Sequence, residues 1–230
     1  MEANSKQKKI NKLQTKNIKL VITTINGANQ AIKAYAKKFK NFSKNLIIIG
    51  DKKTPEFDKS KYPNFLNLQA QRKLDFKIIK KLPLNSYSRK NIGYLFSMKN
   101  NEVILETDDD NIPYDNFFKN ISKKRKSLLI KKNGWVNVYK YFHKSDDLIW
   151  PRGFPLNKVM NNEKKTKVKV NENFYIQQRL ADKNPDVDAI YRLINKKLNI
   201  TFEKNKHIAL NTKSFCPFNS QNTIWFKEAF

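Results

Sequence analysis

Glu102-Val103-Ile104-Leu105-Glu106-Thr107-Asp108-Asp109-Asp110-Asn111-Ile112-Pro113 is the stretch on which the fold turns. Val103, Ile104 and Leu105 suit a buried strand. Pro113 cannot continue a central strand, so the strand has to stop near the three adjacent carboxylates. Like charges at a strand end repel one another, and a hard cation or a positive ligand would hold them together. Mg²⁺ and Mn²⁺ prefer oxygen ligands and commonly take one or two carboxylates plus substrate phosphates. The carboxyl edge of an open α/β sheet is also where nucleotides bind. A second reading stands beside this one: a solvated acidic turn that caps the next helix.

Working back from that stretch, Ile18 to Ile25 reads as a strand covered on both sides, because Ile18, Leu20, Val21, Ile22 and Ile25 leave almost no polar face. Thr23, Thr24, Asn26 and Gly27 follow at its carboxyl end. Asn29 to Phe39 has helical spacing, with Ile32, Tyr35, Ala36 and Phe39 on one face, and Leu46 to Ile49 is a second strand ending in Gly50-Asp51. Strand, helix, strand implies a right-handed crossover and a parallel pair. Lys52 to Lys73 is irregular and broken by Pro55 and Pro63; Phe76 to Leu82 is expected as a third strand. Ser88 is expected to cap a helix from Arg89 to Lys99 that ends at Asn100-Asn101 and leads into the acidic strand. The repeated β-α-β pattern predicts one α/β sheet and excludes a helical bundle or a β-sandwich.

Working forward, Tyr114 to Lys126 is expected to be helical, with a solvated basic end from Ser122 to Lys126. Trp135 to Phe142 alternates as a strand does. Trp150-Pro151-Arg152-Gly153-Phe154-Pro155-Leu156 is a stiff loop that holds one arginine, a group suited to gripping phosphate or carboxylate. Asn161 to Lys169 reads as a charged, mobile hairpin or linker, and Phe174 to Leu180 as a strand or a helix. Asp186 and Asp188 sit beside the apolar run that ends at Leu193, where helix capping competes with a chemical role. His143 and His207 have no metal-site spacing, and no Walker loop or dinucleotide glycine fingerprint occurs.

The 230 residues are enough for one sizeable core, so one domain over 18–230 after a basic, poorly ordered leader over 1–17 is the expectation. The formal charge of +27 comes mostly from Lys, an abundance that fits an AT-rich coding sequence. The sharper reading is attraction to polyanions: an anionic membrane surface, a nucleotide phosphate or, least favoured, nucleic acid. A single cysteine, Cys216, excludes a disulfide framework within the chain. No apolar run reaches the ~20 residues of a membrane span and no secretory signal is seen, so a cytoplasmic or membrane-surface setting is expected.

Four segments carry a family resemblance: Arg89-Lys90-Asn91-Ile92-Gly93-Tyr94-Leu95, Glu106 to Asn111, Trp150 to Leu156, and Pro185 to Leu193 with Pro217 to Thr223. In order and spacing they resemble the STELLO-type glycosyltransferases of plants. More distantly they are similar to the reversibly glycosylated polypeptides of plants, which are UDP-arabinopyranose mutases. The resemblance implies an α/β, GT-A-like (Rossmann-like) mixed sheet flanked by helices in a single domain. It implies a metal-dependent glycosyltransferase that uses a nucleoside-diphosphate sugar, a UDP-sugar, with Mn²⁺ or Mg²⁺. Asp108 and Asp110 fall on its Asp-x-Asp metal motif, with Asp109 between them among the donor-binding residues. Arg152 falls on a segment that in the mutases is associated with sugar attachment, although Phe154 and Leu156 depart from their pattern. Family members are longer, so the chain reads as a minimal version or a piece.

On this reading Thr23, Thr24, Asn26 and Asp51 cradle the nucleoside, and Arg89 and Asn91 hold the diphosphate at a helix N-terminus. Asp186 or Asp188 serves as the acceptor-activating base of an inverting enzyme, with Arg152 as a catalytic partner. The acceptor is an open choice of glycan, protein or small molecule. The alternatives are a UDP-sugar mutase or self-glycosylating protein and, from another class, a basic nucleic-acid-binding protein or an inactive binding subunit.

Overall fold

The structure, a computed structural model, describes residues 17–40, 42–98, 103–144, 147–160, 166–196 and 198–230. The expected leader, apart from Asn17, lies outside the described residues, as do Asn100-Asn101 and residues 161–165 of the charged segment. In chain order the elements are β1 (Ile18–Thr24), α1 (Gln30–Lys38), β2 (Leu46–Gly50), β3 (Asn64–Leu66), α2 (Leu68–Arg72), α3 (Lys90–Met98), β4 (Val103–Asp108), β5 (Lys124–Lys131) and β6 (Gly134–Trp135). They continue with α4 (Leu156–Val159), β7 (Thr166–Asn173), β8 (Ile176–Gln178), α5 (Ala189–Ile194), β9 (Ile208–Leu210), β10 (Ser214–Phe215) and β11 (Asn222–Phe226).

Six strands form a mixed sheet in the order β3-β2-β1-β4-β11-β8. β3, β2, β1 and β4 run parallel, and β11 is antiparallel to β4. Strand alternation sends Leu20, Ile22, Ile48 and Leu105 to one face, where Ile32, Tyr35 and Phe39 of the α1 segment cover them. Val21, Ile47, Ile49 and Ile104 go to the other face, beneath Tyr94, Phe96 and Met98 of α3. The expected fold class is therefore borne out: a mixed α/β sheet flanked by helices, as in GT-A-like folds.

The chain divides into two compact units. The first holds the described residues up to Ile121, with Tyr175–Gln177 and Ser220–Phe230. The second holds Ser122–Phe174 and Gln178–Asn219. Within the second, β5 pairs antiparallel with β7 and parallel with β9, while β6 pairs with β10. Its buried side chains include Tyr139, Ile149, Val187, Ile200 and Phe202, and a further group of Ile130, Val136 and Tyr141. Among the described residues no helix is long and apolar enough to cross a membrane.

Several expected elements come out differently, among them residues 166–169 of the expected linker, which open β7. Phe76 to Leu82 is not a strand; Lys77–Lys80 forms a 3-10 turn with no buried residue, because only Ile78-Ile79 is apolar between lysines. The fourth parallel strand is instead β3, in the stretch expected to be irregular. The basic run Lys124 to Lys126 opens β5 rather than closing a helix, with Lys124 and Lys126 exposed and Arg125 turned partly inward by strand alternation. Beyond Trp135 the chain turns into a 3-10 turn, Val138–Tyr141, which Asn137 caps by accepting from the Tyr139 N–H. The entry to α3 also differs: Ser86, not Ser88, caps a 3-10 turn over Tyr87–Arg89, and α3 starts at Lys90.

Candidate functional site

The sheet order creates a crevice. From β1 the chain steps outward to β2 and β3, then returns to lay β4 on the opposite side of β1. At such a reversal the loops leaving two parallel strands diverge, and ligands bind outside their carboxyl ends. Thr23 of β1 lies opposite Asp108 of β4 in the register, so the acid triplet emerges at the switch point itself.

Each acid of the triplet has a different partner. Asp109 is anchored to β1: its carboxylate accepts from the Thr24 hydroxyl and from Asn26 Nδ2 at 3.1 Å, and its carbonyl accepts from Asn29 Nδ2 at 2.7 Å. Asn29 also caps α1 by accepting from the Ile32 N–H, so one side chain ties the helix start to the acid turn. Asp108 Oδ1 accepts from Lys90 Nζ at 2.8 Å. The same ammonium donates to the Ser220 carbonyl at 3.0 Å, just before β11. The Lys90 side chain is 3% exposed. Asp110 is exposed and, among the described residues, makes no hydrogen bond or ion pair outside its own backbone. Partial loss of water around its carboxyl, then the charges of Asp108 and Asp109, raise it above the ordinary carboxylate range, with Lys90 opposing.

The other sequence-predicted residues of this unit divide. Thr23, Thr24 and Asn26 do line the switch point. Among the described residues the buried Thr23 hydroxyl has no hydrogen-bond partner. Asp51 is at the end of β2, where its carboxylate accepts from the Ser86 N–H at 3.1 Å and from the Lys52 N–H at 2.7 Å, shaping the turn into α3. Arg89 is 4% exposed and turned away from the triplet. Its guanidinium donates to Gln71 Oε1 and towards the Leu82 and Pro83 carbonyls. Asn91 is exposed and donates to the Ser88 carbonyl at 2.8 Å.

In the second unit, Arg152 Nε is 2.8 Å from Asp186 Oδ1, and Asp186 Oδ2 accepts from Asn219 Nδ2 at 2.9 Å. Both carboxylate oxygens of Asp186 are thus engaged. An isolated bridge between Pro151 and Val187 and the hydrogen bond from the Asp188 N–H to the Trp150 carbonyl, 2.9 Å, clamp the two segments together. Gly153 takes φ +76°, the left-handed bend that lets the loop turn between its prolines. Asp188 caps α5 through Oδ1.

Two residues that sequence reasoning passed over belong to the acid site. Lys90 lies inside the quoted segment, one residue beyond the expected helix start at Arg89. Glu106 occupies a buried slot directly after the apolar run Val103-Ile104-Leu105, and that placement is the signal the sequence offers. It is fully buried, accepts from the Tyr94 hydroxyl, and faces the α3 side two residues before Asp108. Burial pushes its carboxyl up to about 7 despite the nearby Lys90 charge and the polar side chains of Thr223 and Trp225.

A divalent cation can be tested against this donor set. Among the described residues no group of three or more His, Cys, Asp or Glu side chains converges to cage an ion. The hard oxygens of Asp108 and of the exposed Asp110 are donors of the type a divalent ion takes one or two at a time, the rest of its shell coming from elsewhere.

No family model matches the chain. Two curated proteins of Arabidopsis thaliana do: "Probable glycosyltransferase STELLO1", 28% identical, and "Probable glycosyltransferase STELLO2", 29% identical, each over 204 residues and 80% of this chain. The chain spans about a quarter of the length of these relatives, 26% and 27%. The matches bear out the resemblance: over most of its length this chain is similar to these two STELLO-type proteins.

Proposed function

We propose that this chain is a glycosyltransferase that takes its sugar from a nucleoside-diphosphate donor, a UDP-sugar, with Mn²⁺ or Mg²⁺. The observation that carries the reading is the acid triplet at the β1–β4 switch point, with Thr24, Asn26 and Lys90 fixing two of its three carboxylates. The printed names of both relatives support transfer chemistry. A cytoplasmic setting, with an anionic membrane surface as a partner for the basic chain, belongs to the same proposal.

Departure of a nucleoside diphosphate leaves negative charge on the leaving group, and a bound divalent ion supplies Lewis-acid neutralisation of it. Asp108 and Asp110 would hold that ion. Thr24 and Asn26 keep Asp109 against β1, so the turn presents Asp110 outward. Arg89, spent on Gln71, stiffens the wall instead of holding diphosphate. Asp186 orients Arg152, whose terminal nitrogens are left for an anionic or hydroxyl-rich group.

The test is thermal denaturation with UDP-, GDP- and ADP-sugars, each with and without Mn²⁺, followed by chromatography of the products. A ligand at a hundredfold its Kd adds ~2.7 kcal/mol, so a UDP-sugar with Mn²⁺ should raise Tm clearly. No shift with any donor sinks the reading. Ring isomers without nucleotide release would replace transfer with mutase chemistry.

A further inference from the structure

Lys90 is a cation built into an anionic site, and the metal reading uses it only to fix Asp108. Its ammonium touches Asp108 Oδ1 at 2.8 Å and the Ser220 carbonyl at 3.0 Å, and is within 3.4 Å of the Ser220 hydroxyl. Its side chain is 3% exposed, against 29% for Asp108. A lysine enclosed to that degree and tied to backbone cannot swing into water to make way for another cation. It stays beside the carboxylate whatever else binds.

We propose that Lys90 is a positioning residue that weakens the acid triplet's hold on a divalent ion alone, so that the ion binds only together with the donor's diphosphate. This rests on the donor-site reading above. A divalent ion held by Asp108 would share that carboxylate with Lys90. The Lys90 ammonium would then be a near neighbour of like sign, in a setting where charges are only partly screened. One Asp108 oxygen is already committed to it. The diphosphate reverses the balance: its negative charges outweigh the ammonium, and its oxygens complete the ion's shell. Metal and donor therefore raise each other's affinity, by the same factor in both directions. Lys90 also ties Asp108 to the segment entering β11, fixing where the carboxylate points.

The experiment is a Mn²⁺ titration followed by the signal of the free ion, on wild type, Lys90→Met and Lys90→Gln. Each is run with Mn²⁺ alone and with Mn²⁺ plus UDP. Thermal denaturation without metal reports folding separately. The expected result is that wild type binds Mn²⁺ alone weakly, at least tenfold more weakly than with UDP present. In Lys90→Met, Mn²⁺ alone should bind about tenfold or more tightly than in wild type, and the enhancement by UDP should shrink. A purely structural lysine predicts a lower Tm with Mn²⁺ affinity unchanged or weaker, and that outcome overturns the proposal. Should neither variant fold, wild type decides alone: tight Mn²⁺ binding that UDP leaves unchanged overturns it. The Mn²⁺-only arm reads Lys90 independently of the donor. Failure of every UDP arm with a positive Mn²⁺-only arm would therefore sink the donor reading and leave Lys90's effect on the ion standing.

Discussion

Glu106 is fully buried on the helix-covered face of β4, and its carboxyl is pushed to about 7 chiefly by burial. An ordinary carboxyl in the unfolded chain titrates near 4.5. The folded state therefore holds a proton between these values that the unfolded chain has released. The stability this contributes is full below about pH 4.5 and is lost as pH rises through 7. A difference of this size is on the order of 3 kcal/mol. Glu106→Gln should flatten the metal-free stability curve between pH 5 and 7.5 in chemical denaturation; an unchanged slope would show that the carboxyl is not held neutral. The acids of the triplet separate at the same scale. Asp110→Asn removes a repelled, exposed charge, so metal-free Tm should stay level or rise while Mn²⁺-dependent donor binding disappears. Asp108→Asn strips the enclosed Lys90 of its counter-charge and should cost about 2–4 kcal/mol. Equal melting of the two variants would contradict the pairing.

Gly93 shows how an element is placed. A Cβ there would run into Val21 Cγ1 and lie 3.1 Å from Ile49 Cγ1, so α3 packs closely on β1 and β2 because this position has no side chain. That approach brings the Lys90 end of α3 to the sheet edge. Alanine would gain about 1 kcal/mol in helix propensity. Overpacking against a close-packed sheet costs typically 1–3 kcal/mol. Val21 and Ile49 are buried and cannot yield, so the packing cost wins, and Gly93→Ala should lower Tm and weaken donor binding. A rise in Tm would mean that the helix moves off the sheet without penalty. The elements legible in the sequence were those with long apolar runs or clear periodicity: β1, β2, β4 and α1. β3 was missed because three residues offer no pattern, and β5 because its pairing with β7 lies far along the chain. The triplet with Thr24 and Asn26 was legible from strand ends alone. Lys90 was not, since a 3-10 turn over Tyr87–Arg89 resets which residue begins the helix.

At the scale of the molecule, two features pull towards different partners: a charge of +27 spread along the chain, and an anionic cluster at one switch point. Scattered lysines bind polyanions by releasing counterions, so affinity falls with salt with a slope near −0.9 per phosphate neutralised. A protein making 6–10 such contacts loses about 10³–10⁵ in affinity between 50 and 200 mM salt. A nucleotide sugar presents one diphosphate, and the enclosed Lys90–Asp108 pair is shielded from mobile ions by its burial. Its binding with Mn²⁺ should change less than about tenfold over the same range. The two can be measured side by side, labelled duplex DNA by fluorescence anisotropy and UDP-sugar with Mn²⁺ by calorimetry. A steep slope for DNA and a shallow one for the donor would assign the charge to diffuse attraction and the cluster to recognition. DNA binding that survives 200 mM salt, with no heat from any UDP-sugar, would reverse that assignment and make nucleic acid the principal partner.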